Sequence, residues 1–279
     1  MTPLQAPAGR LVVCPTPIGN LQDVTLRVLD VLRRADVIAC EDTRHTRRLL
    51  ERHDIATPTV SYHEHNEAAR SAELLARIAG GALLALVSDA GTPLISDPGF
   101  RLVRDCLAAG QAVEVLPGPS AVTTALIASG LPSESWSFVG FLPRARAAAA
   151  ALLYDARDTL IAFESPARLA GTLAGLAARD PDRPVAVCRE LTKVHEQVLR
   201  GSAADLAAAC AATAPRGEIV LVCAAAPRGR AEREEALAVL RGLIDAGARA
   251  RPAAAAVARL TGIGANELYR ALADGAARQ

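Results

Sequence analysis

Two stretches of the chain set acids beside bases. In Glu41-Asp42-Thr43-Arg44-His45-Thr46-Arg47-Arg48, two carboxylates precede a helical pattern that puts Arg44, Arg48 and Arg52 on one face with Arg47 beside them. Thr43 can cap that helix, and acids ahead of its first turn suit the helix dipole. The arginine face is either solvated or a row of phosphate contacts. The second stretch, Arg189-Glu190-Leu191-Thr192-Lys193, holds the one lysine among 31 basic residues. The Ala- and Arg-rich composition reads as a GC-rich coding sequence, in which arginine displaces surface lysine at little cost. Arginine cannot displace a lysine that must lose a proton or act as a compact point charge. Lys193 is therefore a candidate for chemistry, with Glu190 as its partner; chance survival is the alternative.

Other loops carry weaker signals. His63-Glu64-His65-Asn66-Glu67 has histidines at i, i+2 and no third ligand nearby, which is poor zinc spacing. It is either a substrate-contacting loop or a turn in which Asn66 caps the next helix. Pro15-Thr16-Pro17-Ile18-Gly19-Asn20-Leu21 is stiff and short of backbone donors, unlike a phosphate-cradling glycine loop. It suits a ligand without phosphate, or the wall of a cleft. Ser88-Asp89-Ala90-Gly91-Thr92-Pro93-Leu94-Ile95-Ser96-Asp97-Pro98-Gly99 is too long for a simple turn, and such loops at strand ends are usually functional. Pro117-Gly118-Pro119-Ser120-Ala121 opens a helix whose N-terminus can receive a carboxylate or ring edge. Phe163-Glu164-Ser165-Pro166-Ala167-Arg168 follows a further strand pattern.

These loops need a scaffold. Strand patterns over 10–14, 37–40, 59–62, 83–87 and 113–116 alternate with helical patterns over 24–34, 43–52, 67–80 and 100–109. That alternation predicts βαβ units and a mostly parallel sheet, with ligands beyond the carboxyl ends of the strands. A small-residue helix follows within 117–132, then strands over 137–141, 159–163, 185–189, 194–200 and 218–223. The close third and fourth of these predict a hairpin, so the second sheet is mixed. The charged stretch 228–235 marks a boundary before helices over 236–246, 252–261 and 265–273, the last two with helix-turn-helix spacing. The tail has no marked basic face, and a helical cap on the core is the blander reading. The expected layout is a disordered lead-in over 1–9, an N-terminal α/β domain over 10–118, a C-terminal α/β domain over 119–227 and a helical appendage over 228–279. The fold class is α/β: two α/β/α domains, the first mostly parallel and the second mixed.

Composition narrows the class. Net charge is +1, so nucleic-acid contact would be a local patch rather than a basic tail. No apolar run reaches the ~18 residues of a membrane span, and the N-terminus lacks signal-peptide character. Six cysteines without C-x-x-C spacing, mostly in β-branched runs, suggest buried thiols in a reduced cytoplasmic protein, with no metal site.

Taken in order, P-T-P-I-G-N-L, E-D-T-R-H-T, Y-H-E-H-N-E, S-D-A-G-T-P-L-I-S-D-P-G, F-E-S-P-A-R and R-E-L-T-K resemble the tetrapyrrole methylase superfamily, in its bacterial 16S rRNA (cytidine-2′-O)-methyltransferase branch. The similarity runs from Leu11 to about Cys223. It implies S-adenosylmethionine in a cleft between two α/β domains, usually in a homodimer. It further implies methylation of a ribose 2′-hydroxyl on a decoding-region cytidine of 16S rRNA, with the rRNA or small ribosomal subunit as partner and neither DNA nor membrane. Cofactor contacts carry over onto Pro15 and Pro17, onto Ser88, Asp89, Ala90, Gly91, Thr92, Pro93, Ile95 and Ser96, onto Ser120 and Ala121, and onto Phe163 from the second domain. Lys193, Glu190, Glu41 and Asp42 are the catalytic candidates at the target ribose. Asn20, Arg44, Arg47, Arg48, His63, His65, Asn66 and Arg168 are the RNA-binding candidates. Two rivals stand beside this reading: a C-methyltransferase of the same fold acting on a tetrapyrrole precursor, and a ribosome assembly factor that keeps the pocket without catalysing.

Overall fold

In the first half of the chain, apolar runs of four residues alternate with amphipathic helices, and the backbone follows. The computed structural model describes residues 9–226 and 228–276, so 1–8 of the expected lead-in lie outside the described residues. Strands β1 (Arg10–Val13), β2 (Val37–Cys40), β3 (Thr59–Ser61), β4 (Leu83–Leu86) and β5 (Ala112–Val115) form one parallel sheet in the order β3-β2-β4-β1-β5. Helices α1 (Leu26–Arg34), α2 (Thr43–Arg52), α3 (Glu67–Ala79) and α4 (Phe100–Ala108) make the crossovers. Side chains alternate along each strand between two cores. Val12, Ile38 and Ala85 meet Leu29, Leu32 and Leu49 on one face. Leu11, Val13, Ala39 and Leu84 meet Leu74, Ile78 and Leu102 on the other. A sheet covered on both faces needs apolar residues at every strand position, so these runs are continuous rather than alternating.

The strand order decides where a ligand can sit. From β1 the chain moves toward β2, and from β4 it moves the opposite way to β5, yet β1 and β4 are neighbours. Their carboxyl ends therefore form a topological switch point, with a crevice between the departing loops. Thr16 and Gly91 fasten these loops together through reciprocal backbone hydrogen bonds of 2.8 and 3.0 Å.

The second sheet contains β6 (Trp136–Phe141), β7 (Thr159–Glu164), β8 (Pro184–Arg189), β9 (Gln197–Ser202) and β10 (Ile219–Cys223) in the order β6-β7-β10-β8-β9. Only β6 and β7 run parallel, so it is mixed, as expected. Helices α6 (Arg146–Tyr154), α7 (Pro166–Ala177) and α8 (Ala203–Ala212) cover one face. The other face packs on α5 (Ala121–Ser129) and on Ile18 from the first switch-point loop.

Several sequence expectations shift. β8 and β9 do form a hairpin, but β9 begins at Gln197 rather than Val194. Val194 is 96% exposed, so its β-branched side chain has no sheet to join. Residues 190–196 instead make a wide loop in which Glu190 and Thr192 hold positive φ. Asp42, not Thr43, caps α2, its carboxylate accepting the Arg44 N–H at 2.8 Å. Asn66 makes no side-chain cap; its Oδ1 accepts the His63 N–H at 2.9 Å and closes the preceding turn.

The start of the first appendage helix also moves, from 236 to 228. Helix α9 (Arg228–Asp245) starts within the charged stretch, because arginine and glutamate are good helix formers and continue the helix. With α10 (Ala250–Thr261) and α11 (Ala265–Ala276) it encloses its own small core of Leu240, Ala254, Val257 and Leu268. Gly262, at φ 74°, terminates α10 in the left-handed conformation that glycine tolerates. Tyr154 bonded to Glu234, and Arg157 paired with Glu235 at 2.9 Å, tie this bundle to the second sheet's helices.

Candidate active site

The crevice at the switch point opens into a cleft of about 410 Å³ that the second sheet closes. Ala90, Gly91, Thr92, Ile95, Ser96 and Asp97 line one wall, and Ser120, Ala121 and Val122 line the start of α5. Phe141, Phe163, Cys188, Leu191, Ile219 and Val220 supply the opposite, mostly apolar wall. The Phe163 ring meets Phe138 and Phe141 edge-on, at 5.0 and 5.3 Å between centroids, which sets the orientation of that wall. Ser120 and Ser165, the caps of α5 and α7, both reach this cleft and neither makes a side-chain cap bond. Two helix N-termini thus face it without side-chain caps, an arrangement that favours anionic or hydrogen-bond-accepting groups.

The loops are held in costly backbone conformations. Apart from Asp54, every non-glycine residue with positive φ among those described is in the 88–99 loop (Leu94, Ser96) or the 190–196 loop (Glu190, Thr192). Such strain persists where surrounding contacts over-determine it, which is common at functional sites. Thr92 Oγ1 donates to the Pro119 carbonyl at 3.0 Å, and Ser88 Oγ donates to the Gly91 carbonyl at 3.3 Å.

A second cavity of about 310 Å³ adjoins the cleft, and Ile18, Ala90 and Glu218 line both. Its other walls come from Thr16, Pro17, Gly19 and Leu21, from His45 and Arg48 on α2, from Ser88 and Asp89, and from Lys193. It holds two cations, Arg48 and Lys193, where the cleft lining has none. Lys193 Nζ lies 3.0 Å from Glu190 Oε1 and 3.1 Å from Glu218 Oε2. Glu190 Oε1 also accepts the Glu218 N–H at 2.9 Å. A Cβ on Gly217 would lie 2.4 Å from that oxygen, and one on Gly19 would lie 2.5 Å from Lys193 Cγ. Asn20 N–H reaches Thr192 Oγ1 at 3.0 Å, so the first loop and the hairpin loop are locked together.

These contacts set protonation states. Burial pulls the Lys193 ammonium toward deprotonation, but hydrogen bonds and charges from Glu190 and Glu218 outweigh it and hold its pKa above the ordinary value. Lys193 is thus a fixed point charge, and of the two roles open to a retained lysine the geometry supports this one over proton loss. The Glu218 backbone N–H, and then Lys193, lower the Glu190 pKa. Hydrogen bonds from Arg44 hold the Asp42 carboxyl well below the usual range. Burial raises Glu41, with Asp89 and Glu64 adding repulsion. Burial first, then the Glu41 charge, pushes Asp97 up to about 6. Cys188, at the cleft wall, is pushed by burial up to about 11 and remains a neutral thiol, as the other buried free cysteines are read to be.

The expected site residues divide among these places. Ala90, Gly91, Thr92, Ile95, Ser96, Ser120, Ala121 and Phe163 line the first cleft. Pro17, Ser88 and Asp89 line the second cavity instead, while Pro15 and Pro93 are buried behind the walls, Pro15 against Gly118. Arg48 reaches the second cavity, whereas Arg44 pairs with Asp42 at 2.8 Å and Arg47 is exposed. His63 accepts or donates to Asn66 at 3.2 Å, and His65 is exposed next to Glu64. The Arg168 guanidinium is committed to the Leu142 and Pro143 carbonyls and to the buried Glu164 carboxylate. Glu41 and Asp42 line neither cavity. No metal-holding cluster occurs among the described residues. Sequence reasoning passed over Ile18, Asp97, Leu191 and Glu218. Asp97 lay inside an already marked loop, but the start of β10 offered no signal for Glu218.

An S-adenosylmethionine molecule suits this cleft. The aromatic and aliphatic walls fit an adenine ring, and the N-termini of α5 and α7 fit a carboxylate. Asp97 adds a carboxyl group to the same cleft, of the charge that suits a sulfonium cation. A cleft without a glycine-rich phosphate loop agrees with a cofactor that carries no phosphate.

The family model for tetrapyrrole (corrin/porphyrin) methylases matches residues 10–207. A protein of Micromonospora olivasterospora named ribosomal RNA small subunit methyltransferase I is 46% identical over 95% of this chain and 87% of its own length. One of the same name from Mycobacterium tuberculosis is 46% identical over 95% of both chains. Among solved structures, the uroporphyrin-III C-methyltransferase of Thermus thermophilus complexed with S-adenosylhomocysteine superposes with TM-score 0.54 at 20% identity, over 77% of this chain and 97% of that one. That last likeness concerns the fold alone.

Proposed function

The chain belongs to the tetrapyrrole (corrin/porphyrin) methylase family and, within it, to the ribosomal RNA small subunit methyltransferase I group; on that premise we propose that it methylates the ribose 2′-hydroxyl of a decoding-region cytidine in 16S rRNA. The coarser activity, S-adenosylmethionine-dependent methylation of small-subunit rRNA, follows from the relatives. The finer choice of atom and nucleotide is our reading. One observation supports an anionic acceptor beside the cofactor: the cleft suited to a phosphate-free cofactor shares a wall with a cavity that holds Arg48 and Lys193. Cations would also suit the carboxylates of a tetrapyrrole precursor, so the choice of RNA over that acceptor rests on the relatives.

Bound S-adenosylmethionine supplies an electrophilic methyl group on a good leaving sulfur. The protein must then orient an acceptor, assist loss of its proton and exclude water. Ile18 and Ala90 separate donor cleft from acceptor cavity, the locked loops keep their spacing, and the apolar wall around Phe163 excludes solvent. The reading also includes a cytoplasmic location and a homodimer, the latter to be checked by light scattering on the purified protein.

The test is incubation with labelled S-adenosylmethionine and either small subunits from a strain lacking the gene or a tetrapyrrole precursor. The expected result is label on one cytidine ribose of 16S rRNA, mapped by its resistance to alkaline cleavage. Label on a base carbon or on the tetrapyrrole rejects the reading.

A further inference from the structure

The two cavities share only Ile18, Ala90 and Glu218, so a reacting hydroxyl must approach the methyl donor past these residues. An assisting base must line the second cavity near that junction and, among the described residues, have no cation paired to its carboxylate. Asp42 is bound by Arg44, and Glu190 by Lys193 and the Glu218 backbone. Glu218 pairs with Lys193. Glu41 lines neither cavity, and Asp97 faces the donor cleft alone. Asp89 differs from all of them. It lines the acceptor cavity, precedes the junction residue Ala90 in the chain, and is half-buried. Its Oδ1 accepts the Asp42 N–H at 3.0 Å, which fixes the carboxylate's orientation. Among the described residues, Oδ2 takes no hydrogen bond.

We propose that the second cavity receives the acceptor nucleotide of a single-stranded RNA segment, with Arg48 and Lys193 against its phosphates and Asp89 as the base for the ribose hydroxyl. This rests on the functional reading above and moves Asp89 from the cofactor's neighbourhood to the acceptor's. Asp89 takes the hydroxyl proton while the oxygen–methyl bond forms and the methyl–sulfur bond breaks. The sulfur keeps the bonding pair and becomes neutral, and Asp89 later yields its proton to water. A single-stranded or extruded nucleotide is required, because a stacked duplex residue cannot enter a cavity of this size.

Two measurements test the parts separately. The first is binding of a short cytidine-containing RNA oligonucleotide to the protein loaded with S-adenosylhomocysteine. Arg48→Ala and Lys193→Met should each weaken it about tenfold and reduce its salt dependence, whereas Asp89→Asn should change it less than about threefold. Wild-type affinity in both cation variants overturns the cavity assignment. The second is single-turnover methylation of small subunits, in which Asp89→Asn should be slower by about 100-fold with S-adenosylhomocysteine affinity retained. A rate within about threefold of wild type overturns the role of Asp89. If the wild-type protein binds the oligonucleotide through these cations yet methylates no small subunit, the rRNA reading fails while the cavity assignment stands.

Discussion

Strand β8 carries a cation–carboxylate pair at each end, both at i, i+3 spacing, and the two ends have opposite characters. Before the strand, Arg183 and Asp180 are 1% and 8% exposed and pair at 2.9 Å. Every direction of the Arg183 fork is used, toward Asp180 and toward the carbonyls of Leu153, Tyr154 and Ala224. After the strand, Lys193 and Glu190 are 29% and 19% exposed, and Lys193 borders a cavity. The planar guanidinium closes a buried knot, while the compact ammonium leaves a charge facing open space. Saturation of donors, more than the presence of an ion pair, separates a structural centre from one available to a ligand.

The comparison breaks first at its buried end. Arg183→Ala removes the guanidinium from Asp180 and from three carbonyls in the interior and should cost about 3–5 kcal/mol. Urea unfolding should show a lower midpoint at constant slope, and an unchanged midpoint would show that the knot is not structural. At the open end, Lys193→Met should keep stability within about 1 kcal/mol but lower methyl transfer about 100-fold, equivalent to about 2.7 kcal/mol of barrier. Full turnover in that variant would make both ends merely structural.

Asp97 gives a smaller, pH-dependent effect. Its pKa rises from 3.8 to about 6 on folding, so the folded state binds the extra proton. Relative stability is therefore complete below about pH 4 and is lost as pH rises through 6. Asp97→Asn should stabilise the protein by about 1 kcal/mol at pH 7–8, allowing for partial solvent screening, with the gain vanishing toward pH 4. Thermal melts across that range check it; a gain independent of pH would remove Asp97 from the coupled acids at the cleft. Smallest of all, Arg27→Ala should shift the unfolding free energy by less than about 0.5 kcal/mol, since its 2.9 Å pair with Glu114 is exposed at 66% and 40%. It serves as the baseline against which both ends of β8 are read.

Much of the scaffold was legible because sheet burial leaves a local trace. Leu11–Val13 and Leu84–Leu86 must be apolar at each position, and the crossovers need helices of ten residues or so between them. The hairpin was legible too, but not its width. Val194 has strand propensity, and only the absence of a neighbouring strand leaves it in a loop. The start of α9 was misread because charge was taken for a boundary, whereas helix propensity carried the chain through it.

The candidate site divides in the same way. Sequence alone marked most of the loops that line the two cavities, since long proline- and glycine-punctuated segments at strand ends are chemical features of the chain itself. It also singled out Lys193 by residue type. Tertiary structure alone decided that Asp89 lines the second cavity, that Asp97 lines the first cleft eight residues later, and that Glu218 arrives just before β10 to pair with Lys193. Those outcomes depend on which strands lie side by side and on which oxygens are already bonded, and neither is a property of residues near one another in sequence.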